Sequence, residues 1–260
     1  MFEKKNIQWL DEQEEKEVEE VKEEPINPIE EPMLEETIIQ EPIIQDIELT
    51  APTQAIQMKF PALIIIGGMT ESGKTNLLRY ILKENHQSFN RIWALCPTAD
   101  LLVEYQFIPR KFTITNPTEE DVDNILQDQI KFKHLKTCVV LDDCIGSLNF
   151  QNSKIFDKLA SSSRHFKLTT FILIQDLKKL SPCIRDNAKY LFITKLKEHS
   201  LKICYELSSS FKTEKKFKRF MNQVCKNYQV VKFNLTANYN DTPYCMFKPP
   251  LVSKFKFSFR

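Results

Sequence analysis

From position 62 onward, short apolar runs alternate with longer amphipathic stretches. Ala62–Ile66 and Leu168–Gln175 (LTTFILIQ) are unbroken apolar blocks, the pattern of strands covered on both faces. Arg91–Cys96 (RIWALC), Lys111–Thr115 (KFTIT), Thr137–Asp143 (TCVVLDD) and Lys189–Thr194 (KYLFIT) predict further strands. Helices are expected between them at Asn76–Asn85, Asp100–Tyr105, from Thr118 onward, and at Asn152–Ser162. Thr118 is an N-cap with Asp121 three residues on, and Val122, Ile125, Leu126 and Ile130 mark the buried side of its helix. Ser181–Asn187 is expected as a connector carrying Arg185. Two helices, about 199–209 and 213–226, precede a β-hairpin of Gln229–Leu235 and Pro243–Phe247, with turn residues at Asn238–Asp241. Strand and helix alternation of this kind predicts a three-layer α/β domain.

The first 55 residues follow neither period. Glutamate, glutamine and proline dominate them, which predicts a disordered tail. Within it, Asn6–Val21 has the makings of a helix formed on a partner. The isoleucine pairs at 38–39 and 43–44 offer docking points, either for a partner or for the chain's own body. The expected layout is a tail at 1–55, a domain at 56–250 and a basic, aromatic tail at 251–260. In that last segment lysine and arginine interleave with Phe255, Phe257 and Phe259, a pattern suited either to a polyanion or to a mobile terminus.

Charge sharpens the division. Residues 1–50 hold 17 acidic and 4 basic side chains, net −13, whereas the other 210 hold 18 and 32, net +14, so the overall +1 conceals a basic body. Such a body attracts polyanions, of which nucleic acid is the commonest. Seven cysteines without a C-x-x-C pair exclude a zinc framework, and their odd number fits packed thiols in a reducing compartment. With no signal core and no run of about 18 apolar residues, the chain is expected to be soluble, intracellular and without a membrane partner.

The chemistry concentrates in PALIIIGGMTESGKTNLL at 61–78. Gly68, Gly73, Lys74 and Thr75 satisfy G-x-x-x-x-G-K-[ST], between a strand and a helix, and this spacing wraps backbone N–H groups around nucleotide phosphates. Three of the chain's four glycines lie in this loop. The loop from Gly68 through Met69, Thr70, Glu71, Ser72 and Gly73 would cradle the phosphates. Lys74 would sit between the terminal phosphates, Thr75 would ligate Mg²⁺, and the helix dipole would add to both. Asp142 and Asp143 emerge at the carboxyl end of an apolar strand, where open α/β sheets bind ligands. Asp142 is expected to hold Mg²⁺ through water and Asp143 to orient or activate the attacking water, with Gln175 as a γ-phosphate sensor.

These motifs together resemble the FtsK-HerA superfamily of ring ATPases, and within it the genome-packaging ATPases of poxviruses, virophages and related large transposons. GGMTESGKT at 67–75, VVLDD at 139–143, SSRHFKLTTFILIQ at 162–175 and IRDNAKYLFI at 184–193 carry the likeness, which spans about residues 58–247. The resemblance implies an additional-strand P-loop core, ATP and Mg²⁺ as cofactors, a homo-oligomeric ring, double-stranded DNA as the moved substrate, and a capsid or portal-vertex partner. It implies a location in the host cytoplasm, a viral factory or the virion. By the same likeness Arg164, on a polar turn expected near the sheet's edge, is the inter-subunit arginine finger, with Arg185 as its rival. Two positions depart from the pattern: Glu71 replaces a glycine, and Asp143 replaces a glutamate.

Two other functions fit parts of the pattern. E-S-G-K-T also occurs in heterotrimeric G-protein α subunits, and Asp143–Gly146 fits the D-x-x-G of a GTPase switch, although no N-K-x-D follows the fifth core strand. The other is a nucleotide-dependent DNA-binding scaffold without turnover.

Overall fold

The computed structural model describes residues 48–98, 105–144, 152–208, 211–237, 243–253 and 255–257. The acidic tail up to residue 47, the helix expected from residue 100, Ile145 and Gly146, the hairpin turn and the last three residues lie outside the described residues.

Eight strands form one sheet. In chain order they are β1 (Leu63–Gly67), β2 (Arg91–Leu95), β3 (Thr113–Ile114), β4 (Thr137–Asp142), β5 (Leu168–Ile174), β6 (Tyr190–Ile193), β7 (Val230–Asn234) and β8 (Tyr244–Phe247). Their spatial order is β3-β2-β4-β5-β1-β6-β7-β8. The first six are parallel, and β7 and β8 join as an antiparallel hairpin on β6. β5 inserts between the loop-bearing β1 and the acidic β4, which is the expected additional-strand arrangement. Parallel strands end at the same pole, so Gly67, Asp142 and Ile174 are brought side by side.

Alternation along each strand builds two cores. Leu63, Ile65, Val139, Leu141, Ile172 and Leu191 pack on one face beneath α3 (Glu119–Lys131), α4 (Lys154–Ser162), α5 (Pro182–Asn187), α6 (Glu198–Ser208) and α7 (Glu214–Val224). Ile64, Ile66, Val140, Phe171, Leu173 and Phe192 pack on the other, beneath α1 (Pro52–Ala55) and α2 (Lys74–Glu84). Thr118 caps α3 in a reciprocal capping box with Asp121, as its spacing predicts. Among the described residues no helix is long and apolar enough to cross a membrane.

Several expectations are corrected. The strand expected at 111–115 shrinks to Thr113–Ile114, because Arg110–Phe112 winds into a 3-10 turn. The connector at 181–187 is the helix α5, started by Pro182 and capped by the Ser181 hydroxyl, which accepts from Ile184 N–H. Arg164 does not lie near the sheet's edge, because the strand it precedes, β5, is central.

The body also extends beyond 56–250 at both ends. Thr50 N–H donates to the Met246 carbonyl at 2.7 Å, and Ala55 and Ile56 are buried. Lys232 falls on the apolar face of β7, where its ammonium donates to the carbonyls of Ala55 and Gln57, both at 2.8 Å, and faces the Tyr190 ring. Those two acceptors compensate a burial that holds its pKa below the usual lysine range. At the other end, Val252 N–H donates to Asn76 Oδ1 and Phe257 N–H to the Phe107 carbonyl. Phe255 stacks on Phe107 with ring centroids 4.6 Å apart, and Phe257 is buried. Phe257 is a core residue and Phe255 packs half-buried against that core.

This packing predicts that Phe257→Ala lowers stability by about 3 kcal/mol, the cost of emptying a buried phenylalanine site. Urea unfolding monitored by circular dichroism checks it, and an unchanged midpoint would show that the segment is not part of the core.

Candidate nucleotide site

The loop between β1 and α2 is fixed from both sides. Gly68 N–H donates to the Ile174 carbonyl at the end of β5, and Met69 N–H donates to the Lys195 carbonyl beyond β6. Ser72 Oγ lies 2.7 Å from Thr194 Oγ1 and donates to the Met69 carbonyl at 2.6 Å. A Cβ on Gly68 would stand 1.8 Å from Thr194 Oγ1, so the close approach of loop to β6 requires glycine there. Gly73 and Glu71 take left-handed conformations with φ of 91° and 60°, and α2 then begins at Lys74. The positive φ at position 71 is the kind a glycine supplies without strain, so the chain's departure there is tolerated at a conformational cost.

This arrangement leaves donors over. The N–H groups of Thr70, Glu71 and Gly73 have no acceptor among the described residues, and α2 offers its N-terminal turn beside them. Lys74 Nζ folds back onto the carbonyls of Gly68 (2.9 Å) and Met69 (2.8 Å). Its pKa is lowered by burial, while the charges of Asp142 and Asp143 act in the opposite direction. A cation that borrows loop carbonyls is ready to exchange them for phosphate oxygens. These are the features a polyphosphate needs, and they fit one.

Across a cleft of about 180 Å³ stand Asp142, Asp143 and Gln175, which the register of β4 and β5 brings opposite Lys74 and Thr75. Asp142 is 6 % exposed, and its Oδ2 accepts from the Tyr105 hydroxyl at 2.5 Å. Burial pushes the Asp142 carboxyl up to about 6, the Tyr105 bond and the Lys74 charge oppose that rise, and Asp143 adds to it. Asp143 adopts a φ of 51°, a conformation that non-glycine residues hold only when their surroundings enforce it. Gln175 Nε2 reaches Asp143 Oδ1 at 3.5 Å, while its Oε1 accepts from Thr70 Oγ1 at 3.2 Å. The expected sensor thus bridges the phosphate loop and the expected catalytic acid. One threonine hydroxyl and adjacent carboxylates match the few protein ligands Mg²⁺ takes when phosphates and water complete its shell. Among the described residues there is no denser metal-ligating cluster.

Arg164 is not part of this group. It lies at the opposite end of β5, about 20 Å away for a seven-residue strand, and its Nη2 donates to the Asn187 carbonyl at 3.3 Å. Arg185 is half-buried in α5. Neither reaches the phosphate loop of its own chain.

Tyr105 was not legible as a site residue. It is 37 positions from Asp142 and belongs to no motif, so only the folded chain joins them. On the other side of the loop a cavity of about 610 Å³ runs from Met69–Ser72 to Lys195, Asn222 and Tyr228. Tyr228 is 64 % exposed, has a φ of 62°, and places its ring 3.2 Å from where a Gly73 Cβ would be.

Comparison with known proteins agrees with this architecture. The chain is 25 % identical over 209 residues to protein 088R of Invertebrate iridescent virus 3, covering 75 % of this chain and 79 % of the relative. It is 26 % identical over 190 residues to protein 075L of Invertebrate iridescent virus 6, covering 70 % and 73 %. Among solved structures it resembles the genome packaging NTPase B204 of Sulfolobus turreted icosahedral virus 2 in complex with AMPPCP. That match has a TM-score of 0.53 and 14 % identity over 74 % of this chain and 98 % of the other. It also resembles the pCW3 conjugation coupling protein TcpA with ATPγS, with a TM-score of 0.52 and 15 % identity over 76 % and 61 %. No family profile matches the chain. The likeness to these structures shows the fold, the α/β sheet of a P-loop NTPase.

The raised Asp142 pKa carries a stability signature. Folded at about 6 against an ordinary value of 3.8, the carboxyl favours the native state when protonated, and that contribution is lost as pH rises through about 6. Nucleotide-free Asp142→Asn should therefore exceed the wild type by on the order of 2 kcal/mol at pH 8 and by little at pH 4. Urea midpoints at the two pH values check this; a variant no more stable at pH 8 would contradict it.

Proposed function

We propose that the chain is an ATP-hydrolysing motor subunit that works in a homo-oligomeric ring and drives double-stranded DNA, most specifically a viral genome into its capsid. The observation that carries the ATPase reading is the bridged cleft. A phosphate loop with unused N–H donors and a retractable lysine faces a carboxylate that the sensor glutamine links back to the loop. The DNA and capsid parts rest on the fold shared with a genome packaging NTPase and a conjugation coupling protein, and on the basic body. A viral factory, the host cytoplasm or the virion would be the place of work, with a capsid or portal vertex as partner.

In this reading the triphosphate lies along the loop from Gly68 to Gly73, and Lys74 exchanges the Gly68 and Met69 carbonyls for β- and γ-phosphate oxygens. Base and ribose occupy the 610 Å³ cavity beside Tyr228. Thr75 and Asp142 would hold Mg²⁺, which neutralises charge on the phosphates when bound. Tyr105 fixes the Asp142 carboxylate through its hydroxyl. Asp143 accepts a hydrogen bond from the attacking water, and Gln175 donates to that water or to the γ-phosphate. Positioning and charge supply most of the catalysis in such sites. Arg164 or Arg185 would act only on a neighbour's nucleotide, which ties hydrolysis to assembly.

Guanine selectivity is disfavoured, since the segment after β6 reads Thr194-Lys195-Leu196-Lys197 and lacks the carboxylate that pairs with a guanine edge. Turnover with ATP and with GTP, each with and without duplex DNA, tests the proposal. The expected outcome is ATP hydrolysis stimulated by DNA, lost in Lys74→Ala together with nucleotide binding. In Asp143→Asn binding should persist while turnover falls at least 100-fold, the scale of a lost general base. Preference for GTP would replace the motor with a switch, binding without turnover would leave a scaffold, and full turnover of Asp143→Asn would remove that residue from catalysis.

A further inference from the structure

The parallel sheet has a second pole. The strands β2, β4, β5, β1 and β6 all start there, far from the nucleotide cleft. The five segments that lead into them, residues 57–62, 85–90, 132–136, 163–167 and 186–189, contain Lys59, Lys133, Lys136, Arg164, Lys167 and Lys189. Against these six cations they contain one carboxylate, Asp186, together with three of the chain's four histidines. Most of the six are exposed and Lys189 is half-buried. None of the six forms an ion pair among the described residues.

Their spacing follows from the sheet. Lys136, Lys167 and Lys189 each stand immediately before the first residue of a strand, β4, β5 and β6 respectively. With β1 between β5 and β6 and strands about 4.8 Å apart, the three span about 14 Å across the sheet, while the register sets Lys189 level with Leu63 and Thr170, about 10 Å further along the strands than Lys167. End to end that is about 17 Å, or about five phosphates of axial rise along one strand of duplex DNA at about 3.4 Å each. Lys167 is held at a φ of 56°, a left-handed conformation that the surrounding fold must enforce. Lys136 and Lys167 border a depression of about 390 Å³ whose lining also includes Met58, Phe60, Pro61 and Ser88. Arg164 and Lys59 are close enough to Lys189 to lower its pKa further, after burial has done so. Like charges gathered without counter-charges are relieved by an anion. A single triphosphate engages two or three cations, whereas this surface lays them out in a row.

We infer that the pole formed by the amino ends of β4, β5, β1 and β6 is the surface that grips the phosphate backbone of duplex DNA. This rests on the DNA-motor reading above, and it goes further by giving DNA and the chain's own nucleotide opposite ends of the same strands, with Arg164 left to the neighbour's nucleotide and outside the DNA contacts. Lys136, Lys167 and Lys189 make the central phosphate contacts. Because these cations touch backbone and not base edges, the grip is independent of sequence and strongly salt-dependent.

The test uses the full chain and a fluorescein-labelled 30-base-pair duplex, with affinity measured by anisotropy between 50 and 200 mM NaCl. Lys136→Gln/Lys167→Gln/Lys189→Gln should flatten the slope of log K against log salt by about 3, at about 0.9 for each phosphate no longer neutralised. Lys136→Gln alone should flatten it by about 1. The control Lys212→Gln/Lys215→Gln/Lys216→Gln removes three exposed lysines from the α7 region and should leave the slope nearly unchanged. Basal ATPase without DNA should be the same in all variants, and its DNA stimulation should be lost only in the pole variant. An unchanged slope in the pole variant, or equal flattening in the control, overturns the assignment while leaving the motor reading intact. Loss of basal ATPase with an intact DNA slope also overturns it, and gives the pole to a neighbour's nucleotide. Failure of the wild type to bind duplex DNA overturns the motor reading and this surface with it.

Discussion

The structure depends on the register of three parallel strands, β5-β1-β6. That register sets the Ile174 and Lys195 carbonyls where they accept from Gly68 and Met69, and sets Thr194 against Ser72. A loop tied at both ends can keep unpaired N–H donors at Thr70, Glu71 and Gly73 without collapsing onto them. Shifting either neighbouring strand by one residue would exchange the side chains of its two buried faces and move the loop's anchors. The site is therefore a consequence of the sheet's interior packing more than of the loop's own sequence. The hairpin β7-β8 then covers β6, so the strand that supplies Thr194 is not an edge.

Features that obey a local rule were legible in the sequence. The apolar runs gave most of the strands because a parallel strand buried on both faces has few other ways to appear. The glycine spacing and the Asp142-Asp143 pair were enough to place the cleft at the carboxyl ends of those strands. The misses share a different cause. The Tyr105–Asp142 bond, the Lys232 ammonium on the carbonyls of Ala55 and Gln57, and the stack of Phe255 on Phe107 all join residues far apart in the chain. No period or motif encodes such pairs. Lys232 sits in a run that reads simply as a strand, and Phe255 in one that reads as a basic tail. The short helix α5 was missed because its six residues span under two turns, too few to reveal a 3.6-residue period.

The two ends of the sheet differ in chemistry. At the carboxyl pole a buried carboxylate, Asp142, is held at the cost of native stability, with Tyr105 and Lys74 offsetting part of its burial. At the amino pole cations accumulate without ion-pair partners among the described residues. Both are locally unfavourable in the isolated chain, and on the proposed reading a metal cation would relieve the first and the phosphates of a polymer the second. Such arrangements mark functional surfaces because packing alone would not retain them. The central strands β4, β5, β1 and β6 run from one pole to the other, so the proposed nucleotide cleft and the proposed DNA-gripping lysines sit on the same rigid elements.

The central claim is that Lys74, now folded onto its own loop, is a phosphate ligand at rest. A crystal structure of the chain with Mg²⁺ and a non-hydrolysable ATP analogue tests it most directly. The account predicts that Lys74 Nζ leaves the Gly68 and Met69 carbonyls for β- and γ-phosphate oxygens, with the metal beside Thr75 and Asp142 and the base in the cavity next to Tyr228. An analogue bound elsewhere, or one bound here with Lys74 still on those two carbonyls, would contradict it.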